Sequence, residues 1–393
     1  MNSSLFPSIK DPILLPQYLV SAVTMLEPAI PDHLRRERTV PPRVPENYTP
    51  NFSCYMARFP ESTTDLVMAV FGAQFATRGD NDGTSEALSK LASFLSSGLV
   101  DKSIQPRSQE TASVVDANGY YNEMLIAYWP STAAYDYWAR GSGFKQWWEG
   151  LDPNKEPNGW FIEAFFPSID RIETVLSGNE VAEGAVHLRE SFSGPVMEHL
   201  YWGSMRDRLP ASQTDTLTGD GVDWHALKCV ADIPRRVRVP GIRNLAVIRS
   251  GQDWADAYPE ERELYQSEMQ PTLTEGMEFL RDDGYAIGCF NCRFVKIMDP
   301  VTGKTDRDRT FGLAYFNELA SLERWSKEHP THLKIFGGFY KYVEKLQGNI
   351  TLRLYHEVLV LKPEQQLFEY VGCHASTGML TAVNGHPGLK ERD

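Results

Sequence analysis

No stretch of this 393-residue chain approaches the ~20 continuous apolar residues of a transmembrane helix. The longest apolar candidate, Ile13 to Met25, is broken by Pro16 and follows a single basic residue, Lys10, so it also lacks the form of a secretory signal. A basic run is missing too. Lys and Arg number 39 against 52 Asp and Glu, a net charge of −13, and nothing resembles the clustered cations that hold a nucleic-acid backbone. Cysteine is scarce: five residues at 54, 229, 289, 292 and 373, an odd and scattered set that suits a reducing compartment better than a disulfide framework. The expectation is a cytoplasmic protein, bound to neither membrane nor nucleic acid, whose sequons at Asn2, Asn47, Asn51 and Asn349 go unused.

What the chain does have is aromatic mass, with 17 Tyr, 19 Phe and 9 Trp, enough for a sizeable core and against disorder as the main state. Prolines at 28, 31, 41, 42, 45 and 50 interrupt any regular element, so residues 1–50 read as a lead-in, and 51–393 as one domain. Within it the patterning predicts a strand at Phe52–Phe59, a helix at Ser85–Leu95 and strands at Ser113–Asp116 and Tyr120–Trp129 joined across Asn118-Gly119. A helix over Ala133–Trp148 and a strand at Trp160–Phe166 follow. The same order recurs: strand Asn244–Ser250, helix Glu260–Leu280, strands Cys289–Met298 and Arg309–Phe316, a helical Glu318–Leu346 broken near Pro330, and strand Thr351–Leu361. Ala127-Tyr-Trp129 with Trp138 and Ala314-Tyr-Phe316 with Trp325 match in spacing, each pair suited to anchor a strand end to the next helix. The predicted fold class is therefore α+β: duplicated βαββαβ, ferredoxin-like halves (about 51–190 and 191–393) forming an antiparallel β-barrel flanked by helices.

Two histidines stand where alternation turns them inward. In the strand Thr351–Leu361, His356 shares a face with Leu352, Leu354, Val358 and Val360, and is either a satisfied core group or a working acid/base. In the helix opened by Pro330, His332 shares a stripe with Phe336, Phe339 and Val343. A lone histidine among aromatics suits an axial haem ligand better than zinc, and the nearby Gly337-Gly338 pair suits the approach of something flat; plain core packing is the competing reading. A zinc site from Cys289, Cys292, His329 and His332 does not match finger spacing. Ser250, opening Ser-Gly-Gln-Asp253, reads as a helix N-cap. Arg206 and Arg208 would share a strand face, and a buried Arg208 needs a carboxylate, for which Glu173 is one of several candidates.

At these residues the chain resembles the aldoxime dehydratases, haem lyases that convert aldoximes to nitriles. The matching segments are Tyr201-Trp-Gly-Ser-Met-Arg-Asp-Arg208 with Ser212-Gln-Thr-Asp215, Ile248-Arg-Ser-Gly-Gln-Asp-Trp-Ala-Asp256, Glu323-Arg-Trp-Ser326 with His329-Pro-Thr-His-Leu333, Leu352-Arg-Leu-Tyr-His-Glu357 and Gly378-Met-Leu380. They run in family order from about Pro41 to Leu380. The chain departs from the family's bacterial pattern in a few extra residues around Gly348-Asn349-Ile350 and in residues 1–24, which read as an extension.

The resemblance implies a role for each matched position. His332 becomes the proximal ligand of haem b, ferrous in the active state, and His356 the distal acid/base. Ser250 becomes the hydrogen-bond partner of the oxime hydroxyl, with Arg208 and Glu173 supporting the histidine. It also implies an aldoxime substrate and a homodimer. A haem peroxidase-like oxidoreductase on the same architecture and a non-catalytic haem carrier are the alternatives.

Overall fold

The computed structural model describes residues 25–46, 48–78, 85–200, 204–220 and 236–384. The expected extension at 1–24 and Tyr201–Gly203 of the first matching segment lie outside them. In chain order the strands are β1 (Ala57–Arg58), β2 (Val67–Phe75), β3 (Ser108–Val115), β4 (Tyr121–Trp129), β5 (Gly159–Phe165), β6 (Ile172–Leu176) and β7 (Ser191–Phe192). There follow β8 (Arg236–Val239), β9 (Leu245–Asp253), β10 (Cys289–Met298), β11 (Arg309–Phe316), β12 (Arg353–Leu361) and β13 (Gln366–Val371). The helices are α1 (Glu86–Leu95), α2 (Thr132–Gly141), α3 (Phe144–Gly150), α4 (Pro259–Leu264), α5 (Gln270–Asp282), α6 (Leu319–Glu328), α7 (Pro330–Lys345) and α8 (Leu380–Asn384).

Eleven strands form one antiparallel sheet in the order β6-β12-β9-β11-β10-β3-β4-β2-β5-β13-β8. It curls on itself. Tyr128 of β4 reaches across to hydrogen-bond Glu357 of β12 and receives Arg249 Nη1 of β9 at 2.8 Å, although these strands lie far apart in the sheet order. A second bridge pairs Glu163 of β5 with Arg293 of β10, capped by the hydroxyls of Tyr315 and Tyr370. The inner face is thus a packed core threaded by two fully buried ionic networks. The class is α+β, with a curled half-barrel whose end strands are β6 and β8.

Several boundaries differ from the sequence reading. The first long strand is β2, not Phe52–Phe59, of which Ala57–Arg58 pairs with Ser191–Phe192 and Tyr55 makes an isolated bridge to Leu176. All nine residues of β2 but the last are buried, so it carries no alternation to reveal a face. The helix expected over Ala133–Trp148 breaks into α2 and α3 at Gly143, which takes a φ of +82° that other residues rarely adopt. The long second-half helix is continuous in direction, but Tyr265–Met269 between α4 and α5 is a π-helical turn. Ser85 does cap α1, accepting a hydrogen bond from Leu88 N, and Leu88, Leu91 and Leu95 are buried along one stripe. Pro330 sits at the first position of α7, where its missing donor costs nothing, and separates that helix from α6. Both aromatic pairs form: Trp129 and Trp138 lie 4.7 Å apart by ring centroid, Phe316 and Trp325 6.5 Å.

Candidate active site

Three neighbouring strands build one wall of the site. Ser250 of β9 lies directly opposite His356 of β12 and, on its other side, opposite Gly312 of β11. Directly paired residues of antiparallel strands carry their side chains on the same face, Cβ atoms about 4.5–5.5 Å apart. Ser250 is therefore a mid-strand residue, not a helix N-cap; β9 runs on through Asp253. Register alone puts its side chain on the same face as the imidazole.

His356 is held from behind. Its Nε2 lies 2.9 Å from Glu173 Oε1 and 3.1 Å from Arg208 Nη2. Arg208 in turn grips Glu173 with two bonds, Nε to Oε2 at 3.1 Å and Nη2 to Oε1 at 3.2 Å, and donates through Nη1 to the Glu198 carbonyl at 2.9 Å. Glu173, Arg208 and His356 are 1%, 1% and 4% exposed. Burial works against the Glu173 carboxylate, but the Arg208 guanidinium and then His356 outweigh it and hold its pKa below the ordinary range. Burial likewise opposes the charge on Arg208, which Glu173 more than restores. Of the carboxylates that could have partnered Arg208, the fold selects Glu173 because β6 pairs with β12. The arginine itself sits in a 3-10 turn, Arg206–Arg208, not on a strand, so Arg206 points elsewhere, to Glu323.

The opposite wall is helical. His332 of α7 faces a cavity of about 1080 Å³ of atom-free space, part of it open to solvent, which Ser250 and His356 line from the sheet side. Met269, Leu273, Met277, Ile335, Phe336 and Phe339 make that wall apolar, as the 332/336/339 stripe requires. The ring packs edge-on against Trp325, centroids 4.7 Å apart. Burial pushes its pKa down to about 4, so it is neutral near pH 7. Its Nδ1 is buried with no hydrogen bond of ordinary geometry, the Ser326 backbone being the one polar group that opposes the effect of burial on the ring.

That orphaned nitrogen is the observation against which a haem can be tested. A neutral imidazole with an unused buried ring nitrogen, alone on the apolar wall of a large cavity, fits an axial iron ligand. Among the described residues no group of three or more His, Cys, Asp and Glu side chains is placed to hold a bare metal ion. Cys289 and Cys292 are buried in β10, and His329 caps α7 and stacks on Phe279. The Gly337-Gly338 pair does not belong to the cavity wall. A Cβ on Gly337 would meet nothing within 4 Å and one on Gly338 only Met269 Sδ at 3.5 Å, so the reading that they admit a flat group is not supported.

The glycines that do matter are Gly251 and Gly312, both in the cavity wall. A Cβ on Gly251 would sit 2.1 Å from the Tyr355 ring, and one on Gly312 2.8 Å from Met277 Sδ. A glycine inside an otherwise regular strand is the signal that could have found them. Sequence reasoning also missed the residues next to the pair. Arg249 and Glu357, register partners on the reverse face of the same strands, belong to the buried network with Tyr128 and Glu110. The Ser250–His356 pair is thus backed by an ionic lattice on the far side of the sheet.

The chain matches the family model described as haem-containing dehydratase over residues 69–379. It is 39% identical over 358 residues to an aliphatic aldoxime dehydratase of Pseudomonas chlororaphis, covering 90% of this chain and 98% of that one. It is 30% identical to a phenylacetaldoxime dehydratase of Bacillus sp. (strain OxB-1), covering 86% of this chain and 93% of that one. Among solved structures it superposes on an aldoxime dehydratase in complex with butyraldoxime with a TM-score of 0.79, at 38% identity over 92% of this chain and 98% of the other.

Proposed function

The chain belongs to the haem-containing dehydratases, and on that premise we propose that it dehydrates aldoximes to nitriles with His332 as haem ligand and His356 as acid/base. It is a lyase with a haem cofactor. The observation that carries the assignment of residues is the Ser250–His356 cross-strand pair, backed by Glu173 and Arg208 and facing His332 across one cavity.

In an aldoxime R–CH=N–OH the hydroxyl leaves poorly until it is protonated. His332 would hold the haem, whose iron in the ferrous state would supply an electron-rich Lewis site for the oxime group. Ser250 donates a hydrogen bond to the oxime oxygen and fixes it beside the imidazole. His356, as imidazolium, gives that oxygen a proton and water departs. Now neutral, the same ring takes the proton from the oxime carbon, which leaves the nitrile and restores the imidazolium. Glu173 supplies the counter-charge that the imidazolium needs in a buried site, and Arg208 fixes Glu173. The apolar wall of Met277, Leu273 and Phe336 puts hydrocarbon beside the reacting atoms.

The finer features of the fold belong to this reading as well. In residues 67–165 the strands lie in the order second, third, first, fourth (β3-β4-β2-β5), and β10-β11-β9-β12 repeats that order in residues 245–361. This supports a duplication of a ferredoxin-like unit within one domain, 51–393. Cytoplasmic residence rests on the thiols, since Cys54, Cys289, Cys292 and Cys373 are all free. The homodimer is part of the proposal and is tested by sedimentation of the haem-loaded protein.

Two substitutions test the assignment. His332→Ala should lose haem or its normal spectrum; unchanged haem content and coordination would move the ligand elsewhere. His356→Ala should keep haem and lose about 10²–10⁴-fold in turnover, the ordinary worth of acid–base catalysis; near-normal turnover would remove the distal role. Peroxide-dependent dye oxidation rivalling nitrile formation would favour the oxidoreductase alternative.

A further inference from the structure

The walls that carry His332 and His356 are joined by one connection, from the end of α7 at Lys345 to the start of β12 at Arg353. It is a strained path: Gln347 and Gly348 both take left-handed backbone, φ +51° and +77°. One buried carboxylate gathers it. Glu261 in α4, 0% exposed, accepts from Tyr342 Oη of α7 at 3.0 Å, from Thr351 N at 2.9 Å and from Leu352 N at 2.9 Å. It also accepts the Thr351 hydroxyl at 2.5 Å, while Tyr258, at the N-cap of α4, donates to the Asn349 carbonyl at 2.8 Å.

The donor count explains why a carboxylate stands there. The Thr351 and Leu352 backbone N–H groups can only donate; the Tyr342 and Thr351 hydroxyls complete the set, the latter lying also 3.3 Å from the Asp256 carbonyl. A carboxylate, with acceptor capacity on both oxygens and no N–H of its own, receives all four at once. No Lys, Arg or His among the described residues pairs with it; neutral donors alone hold the charge.

What Glu261 fastens is cavity wall. Leu352 lines the cavity, Leu354 follows on the same strand face two residues before His356, and Tyr342 stacks on Phe339, which lines it from α7. We propose that Glu261 is a positioning residue that sets the Leu352–Leu354–Phe339 end of the cavity, and so the affinity for the substrate's hydrocarbon part. This rests on the aldoxime reading above. The residue acts on binding through that wall, while iron ligation by His332 and proton transfer by His356 stay with their own supports.

Glu261→Gln keeps the shape but turns an amide N–H₂ toward donors. In haem-loaded, reduced protein, Kd for phenylacetaldoxime from the oxime-induced Soret shift and KM for nitrile formation should both rise up to about tenfold, the upper worth of one net hydrogen bond lost from the anchorage. kcat, haem content and the ferrous spectrum without oxime should hold. Glu261→Asp, which keeps both acceptor oxygens, should retain more of the affinity than Glu261→Gln, whereas a loss of packing alone would penalise the shortened side chain more. Lower melting temperature with Kd and KM unchanged would overturn the proposal, as would a fall in kcat at constant KM. Should Glu261→Gln not fold, Thr351→Val alone decides: Kd should rise about threefold, the worth of one hydrogen bond, and an unchanged Kd overturns it. Absence of nitrile from the wild type would refute the aldoxime reading, whereas the ratio of Soret-derived Kd values still judges Glu261.

Discussion

Replacing Glu173 with Gln tests the support behind His356 most sharply. The substitution keeps the size of the side chain and deletes its charge. Arg208, 1% exposed, then loses its bidentate carboxylate and stays buried with the Glu198 carbonyl, the Ser204 hydroxyl and the His356 ring around its guanidinium. Breaking a buried pair from one side costs about 3–5 kcal/mol, because the remaining charge keeps its desolvation penalty. Gln retains one acceptor oxygen, so the lower end of that range is expected. The imidazolium of His356 loses its counter-charge at 2.9 Å and its orientation together, and a drop of about 10²-fold in kcat follows from a ring misplaced by an ångström. Urea unfolding and single-turnover nitrile formation at matched haem content read the two effects separately. Removing both charges, as Glu173→Leu with Arg208→Met, should return most of the stability and none of the activity. A Glu173→Gln protein within 1 kcal/mol of wild type and near-normal in kcat would refute the reasoning.

Ser250→Ala should keep haem and the cavity but lower kcat/KM by about 10–100-fold, the worth of a lost hydrogen bond to a group developing charge; an unchanged value would take Ser250 out of the site. Acid should weaken the fold in two stages. His199 and His332 have pKa values pushed down by burial to about 4, so the unfolded chain binds their protons first. Their contribution is complete above the ordinary value of about 6.5 and is lost as pH falls from there to about 4. Glu173, held below the ordinary carboxylate range, adds stability that is complete above about 4.3 and lost on further acidification. Melting of the haem-free protein against pH checks this: His199→Phe should flatten the slope between pH 6.5 and 4, and an unaltered slope would contradict it.

The parts of this site that local pattern could reveal are those on regular elements. Period two along 352–360 was enough to turn His356 inward, and period 3.6 along α7 turned His332, Phe336 and Phe339 to one side; the structure puts both histidines in the same cavity. Ser250 resisted because Ser-Gly-Gln-Asp reads locally as a cap, and only pairing with β11 and β12 keeps β9 extended through it. Glu173 was one carboxylate among several for a related reason: β6 is five residues long and meets β12 across a long stretch of chain. β2 went unseen because a strand buried on both faces has no alternation to display. Arg208 lies in a single 3-10 turn, too short for any period to register. The pairing partners of each charge are non-local, and the sequence carries the groups without the distances.

The most direct test of the account is anaerobic turnover. Haem-loaded protein, reduced with dithionite and mixed with phenylacetaldoxime, should yield phenylacetonitrile with an oxime-induced Soret shift, and should yield none in the ferric state. Haem bound without nitrile from aryl or alkyl oximes would contradict the catalytic claim. Failure to bind haem at all would remove His332 as its ligand and the mechanism with it.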